Sequence, residues 1–169
     1  LYDALVDVGA PDFDEADFAL ARQFRDSLGE DLRQASDAAI LKSRGEEHGK
    51  KLLAQGLDTD IAPLVLSKVA MPGSTDVGDV SYQCPTAQIH VALWPNHVPC
   101  HSWQVVSCNK TPMAHKATVH AGKVLCAAAI DLLEQPALLE AAKAEFRQRT
   151  AGGYTCPIPP DAVPAPLEL

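Results

Sequence analysis

Six histidines and five cysteines carry most of the chemistry available to this chain of 169 residues. His48 stands in the charged run Ser43-Arg44-Gly45-Glu46-Glu47-His48-Gly49-Lys50-Lys51 and reads as a solvated ring. Glu46 and Glu47 imitate a carboxylate pair for metal and base work, but the surrounding cations favour a solvated charge run. His90 alternates with Ile89 and Val91, the pattern of a partnered ring on a strand. His97 and His101 are four residues apart, as two ligands on a helix would be, yet Pro95 and Pro99 forbid that helix. His101-Ser102-Trp103 remains a polar knot, either lining a cleft or serving structure.

His115 is the strongest single candidate. It follows Pro112-Met113-Ala114 where a long helix begins, so its ring can project into a cleft and, with its second nitrogen oriented, bind zinc. His120, five residues on, is expected to face elsewhere. Asp76 and Asp79 are the only acids between residues 61 and 112. Three apart, they can serve as metal ligand, ligand orienter or substrate anchor, or simply as acids favoured at a helix start. The cysteines follow one another at intervals of 16, 8, 18 and 30, with no Cys-x-x-Cys. That excludes a zinc ribbon and points to reduced thiols in a cytoplasmic protein. No Gly-rich phosphate loop, Gly-x-Ser-x-Gly elbow or His-Glu-x-x-His occurs.

The elements that must position these groups follow from composition and period. Fourteen Lys and Arg against 22 Asp and Glu leave a net charge of −8, the wrong sign for a nucleic-acid binder. The uncharged runs are too interrupted for a membrane span. Residues 1–60 hold most of the acid. Residues 61–112 carry four charged side chains, both tryptophans and three of the histidines, the character of a buried or cleft-lining section. Phe18, Ala21, Phe24 and Leu28 mark a helix face, capped by Asp12 or Asp14 and ended by Gly29. Residues 31–58 look like an exposed loop or insertion. Ile61–Val69 and Ala87–Trp94 read as strands, with a turn at Pro72–Asp76 capped by Ser74 or Thr75. A helix from about His115 to Leu133 is expected to bury Val119, Gly122, Cys126, Ala129, Ile130 and Leu133. Pro136 separates it from a second helix running to about Thr150, and residues 151–169 form a Pro-rich tail.

The segments Gly73-Ser74-Thr75-Asp76-Val77-Gly78-Asp79-Val80-Ser81, Pro99-Cys100-His101-Ser102-Trp103-Gln104, Met113-Ala114-His115-Lys116, Ala129-Ile130-Asp131-Leu132-Leu133 and Cys156-Pro157-Ile158-Pro159-Pro160 occur in that order. Together they resemble the dinuclear-metal aminoacylase and carboxypeptidase-type metallopeptidases, in the branch acting on aminobenzoyl-glutamate. The resemblance is best over 71–160. It implies an α/β fold in which residues 1–150 are the C-terminal part of a catalytic domain, a sheet flanked by helices. The lid or dimerisation domain would be absent and the start at Leu1 would mark a truncation. It further implies two divalent metal ions, zinc above all, and hydrolysis of a small-molecule amide such as aminobenzoyl-glutamate or another N-acyl amino acid. His115 takes the place of the last metal ligand. Asp76, Asp79 and His101 become substrate-contacting or supporting residues, and a homodimer or sister subunit is expected. The other ligands and the general base are missing, which predicts that these residues alone are inactive. The alternatives are a dipeptidase or N-acyl amino acid deacylase of the same family, or a non-catalytic α/β binding module.

Overall fold

The computed structural model describes residues 1–66, 73, 75–96 and 98–163. Among them are eight helices: α1 Tyr2–Val8, α2 Glu15–Asp26, α3 Glu30–Arg44, α4 Glu46–Gln55, α5 Val77–Val80, α6 Trp103–Cys108, α7 Pro112–Glu134 and α8 Pro136–Arg149. None is long and apolar enough to cross a membrane.

No strand occurs among the described residues, so the expected α/β architecture with a flanked sheet is overturned. The alternation at 87–94 does produce an irregular, non-helical backbone, but a strand also needs a neighbour to accept and donate its ladder hydrogen bonds. None is provided among the described residues. Val91, Ala92, Leu93 and Trp94 instead lie against a helical core, and the segment is tied down by Asn96 N–H donating to the Gly56 carbonyl at 3.0 Å. Residues 61–66 are likewise irregular, and 67–69 lie outside the described residues, as do Pro72, Ser74 and His97.

The described chain forms two compact units. The first comprises residues 1–65, 88–96 and 98–130. Its core is Phe13, Ala21, Leu57, Cys108, Met113 and Ala117, with Phe18 and Phe24 packed on it. α2 forms where its period predicted, with Asp14 as its cap, but it ends at Asp26 rather than at Gly29, which instead precedes α3. Asp14 Oδ1 accepts from the Ala16 and Asp17 N–H groups, while Asp17 Oδ2 accepts from Asp14 N–H. This reciprocal box satisfies donors that the first turn cannot pair internally.

Residues 31–58, expected as a loop or insertion, contain helices α3 and α4, which pack against each other as a hairpin. The expected exposure holds for α3, which buries no residue, but not for Leu52 and Leu57, which are fully enclosed. The helicity departs from expectation. Short i,i+4 pairs such as Glu46–Lys50 support it locally, and Gly49 permits close packing, because a Cβ there would meet Leu41 at 3.0 Å. Arg25 joins the hairpin to α2: its Nη2 bonds Asp37 at 2.7 Å and its Nη1 donates to the Leu53 carbonyl at 3.1 Å. Gly56 ends α4 with φ +77° and lies where a Cβ would stand 3.2 Å from that of Ala21. Only glycine meets both demands without strain.

α7 exists as predicted but buries another face. Met113, Ala114, Ala117, His120 and Val124 are buried, whereas Val119, Ile130 and Leu133 are 62%, 54% and 81% exposed. His120, expected to face elsewhere, is on the core side of the helix. Alanines and aliphatics run around most of the circumference of α7, so the period alone cannot choose the face.

The second unit comprises residues 66, 73, 75–87 and 131–163. Pro136 opens α8 at its first turn, as the sequence predicted, and α8 buries no residue. Tyr82 stacks on Tyr154 with ring centroids 4.8 Å apart, and the Tyr154 hydroxyl donates to Asp79. This contact joins the single turn α5 to the segment after α8. The tail through 163 is exposed. All five cysteines are free.

Candidate functional site

A cleft of about 560 Å³ opens beside the first half of α7, lined by Val8, Ala10 and Asp12 on one side and His115, Lys116, Val119, His120 and Lys123 on the other. Local chemistry sets the helix start. Thr111 Oγ1 donates to the Cys108 carbonyl at 2.7 Å and accepts from Ala114 N–H at 3.4 Å. That places His115 one turn in, with an exposed ring. The neighbouring Cys108 thiol is unsuited to act as a nucleophile. It is buried, its Sγ–H donates to the Leu93 carbonyl at 3.6 Å, and burial pushes its pKa up to about 11.

Lys116 anchors the cleft wall. Its Nζ donates to Asp14 at 2.7 Å and Asp17 at 2.6 Å, joining α7 to the cap of α2 across about a hundred residues of chain. These two hydrogen bonds, the one to Asp14 first, push the ammonium pKa up to about 12. The same bond from Lys116, with the Asp17 N–H, holds the Asp14 carboxyl below its usual 3.8. Linkage gives each group its own pH window. The Asp14 contribution is complete above pH 3.8 and is lost as pH falls through the depressed folded value. The Lys116 contribution is complete below pH 10.5 and is lost as pH rises through about 12. Lys116→Met should therefore lower the melting temperature most between these limits, and the gap to the parent should narrow in acid below pH 3.8. A gap independent of pH in thermal melts would refute the electrostatic origin.

His120 is 7% exposed, and its Nε2 lies 2.9 Å from the Gly9 carbonyl. A carbonyl can only accept, so Nε2–H is the donor and the ring is a tether for the end of α1. His115 is thus the exposed imidazole of the cleft.

The expected dinuclear centre does not fit these residues. A metal site needs several converging donors. Among the described residues, the trio of His, Cys, Asp or Glu whose ligand atoms all lie within 4.8 Å of one another is His48, Asp58 and Asp60, and His115 is not in it. His115 can offer one ligand or accept one proton.

The remaining predicted residues are dispersed. His101 lies in the first unit, exposed, with φ +61°, directly before Ser102, whose Oγ accepts from Val105 N–H and caps α6. It does not line the cleft of His115. Asp76 and Asp79 lie in the second unit. Asp76 precedes α5 without a side-chain capping bond, and Asp79 accepts the Tyr154 hydroxyl, an interaction that raises the Tyr154 pKa.

Sequence reasoning missed His48, Asp58 and Asp60. The signal was an Asp-x-Asp two residues beyond Gly56, the glycine that turns the chain back beside α4. It was obscured by reading 31–58 as a loop.

No family model matches this chain, and no solved structure matches it. The chain is similar to a subunit of the p-aminobenzoyl-glutamate hydrolase of Escherichia coli (strain K12), 34% identical over 173 residues. The alignment takes in 99% of this chain and 36% of that protein, so the chain spans little more than a third of its relative's length. The resemblance drawn from the motifs is thereby supported across the whole sequence.

Proposed function

We propose that this chain forms part of a metal-dependent amidohydrolase that cleaves aminobenzoyl-glutamate or a related N-acyl amino acid. The observation that carries this reading is the 34% identity sustained over 99% of the chain to a protein named as a hydrolase subunit for that compound. In this reading His115 supplies one nitrogen ligand to a zinc centre from the wall of the cleft. The other ligands and the general base come from protein outside these 169 residues, because among the described residues His115 belongs to no group of three converging ligand atoms. A partner polypeptide is part of the proposal, the relative being named as one subunit of its enzyme. Asp76, Asp79 and His101 act in support or at the substrate, and the enzyme works in the cytoplasm, where five free thiols stay reduced.

Lys123 and Lys116 bring positive charge to the cleft wall beside His115, which suits a substrate bearing carboxylates, as a glutamate conjugate does. Because Lys116 is already bonded to Asp14 and Asp17, Lys123 is the side chain to which this role falls.

The test is release of p-aminobenzoate from p-aminobenzoyl-glutamate. The complete polypeptide, with any partner that copurifies, should hydrolyse the amide, lose activity to a chelator and regain it with zinc. The 169 residues alone should show none. Full activity after exhaustive metal removal would overturn the metal dependence, and failure to hydrolyse any N-acyl amino acid would overturn the reaction class.

A further inference from the structure

We propose that His48, Asp58 and Asp60 form a second, mononuclear binding site for a divalent transition-metal ion, separate from the cleft of His115. His48 projects from the first turn of α4, and the two aspartates follow the left-handed turn at Gly56 that brings the chain back beside that helix. His48 Nδ1 lies 3.1 Å from Asp60 Oδ2, and one ligand atom from each of the three residues falls within 4.8 Å of the others. Asp60 backbone N–H donates to Asp58 Oδ1 at 3.0 Å, holding the Asp58 carboxylate against the Asp60 backbone. The His48, Asp58 and Asp60 side chains are 34%, 17% and 35% exposed, so the site is open to an ion but partly shielded from bulk water.

A cation already sits there. Lys51 Nζ bonds both Asp60 oxygens, at 2.7 and 2.9 Å, and Arg44 lies 3.6 Å from Asp58. The Lys51 ammonium marks the place where positive charge is stabilised. It rides on a flexible side chain that is 47% exposed, so it can swing into water when a divalent ion replaces it. One imidazole with two carboxylates suits zinc, cobalt or nickel better than magnesium or calcium, which prefer all-oxygen shells.

Metal uptake by the metal-stripped protein, measured with zinc by equilibrium dialysis and elemental analysis, tests the site. One equivalent should be taken up through these residues, weakened about tenfold or more by His48→Ala and by Asp60→Asn, and retained in His115→Ala. Lys51→Met, which removes the competing ammonium and no ligand, should tighten binding several-fold. Cobalt bound at the site should show weak visible absorption without sulfur-to-metal charge transfer, which separates it from the free cysteines. Uptake unaffected by His48→Ala, uptake lost with His115→Ala instead, or no uptake even in Lys51→Met overturns the proposal. None of these results depends on hydrolase activity, so the two assignments fail or succeed independently.

Discussion

Replacing His115 with alanine in the complete enzyme should lower amidase turnover by about 100-fold or more, the upper end of what even supporting residues of metal ligands cost. Metal content, by elemental analysis, should fall by the equivalents held at the hydrolytic centre, leaving the one bound by His48, Asp58 and Asp60. Compared in their metal-stripped forms, variant and parent should melt at close to the same temperature, because the His115 ring is exposed at the cleft wall. The combination is what identifies a ligand. A residue needed only for packing would lower stability along with activity, and a residue needed only for substrate binding would raise KM and leave metal content alone. Unchanged turnover and metal content in His115→Ala would remove this side chain from the proposed centre.

The second large effect concerns the side of α7 that carries the fold. Met113→Ala should destabilise the protein by about 2–5 kcal/mol, the usual range for truncating a fully enclosed methionine. Met113 is 0% exposed among Phe13, Ala21, Leu57, Cys108 and Ala117. Val119→Ala, six residues along the same helix, should change stability by no more than about 0.5 kcal/mol, since Val119 is 62% exposed. Urea denaturation of both variants measures the difference directly. Equal effects would mean that the face containing Val119 and Leu133 is covered in the protein. A larger effect at Val119 would reverse the buried face and return α7 to the orientation its sequence period first indicated.

The features legible in the sequence were those decided within a few residues of chain. Asp14 was readable as a cap because a carboxylate there reaches the N–H groups of the next turn regardless of what packs above. Pro136 was readable as the break between α7 and α8 because its ring cannot donate into the preceding helix and suits the first turn of the next. The ordered motifs around Asp76, His101 and His115 were likewise enough to point to the relative that the comparison found.

Other features depended on partners distant in sequence. Alternation at Ala87–Trp94 records a chain able to lie extended, but whether it becomes a strand depends on a neighbour, and here a helical core receives Val91 to Trp94 instead. α7 offers apolar residues on two faces, so its orientation follows from the contacts of His120 with Gly9 and of Lys116 with Asp14 and Asp17. The charged stretch around His48 illustrates the same limit. Read linearly it is a solvated run; folded, the turn at Gly56 returns Asp58 and Asp60 to its side. By itself, then, the sequence determined the Asp14 cap, the break at Pro136 and the likeness to an amidohydrolase subunit, all properties of short range or of motif order. Tertiary structure alone decided which faces are buried, that no ladder forms among the described residues, and which ligating side chains converge, because each requires groups far apart in the chain to meet.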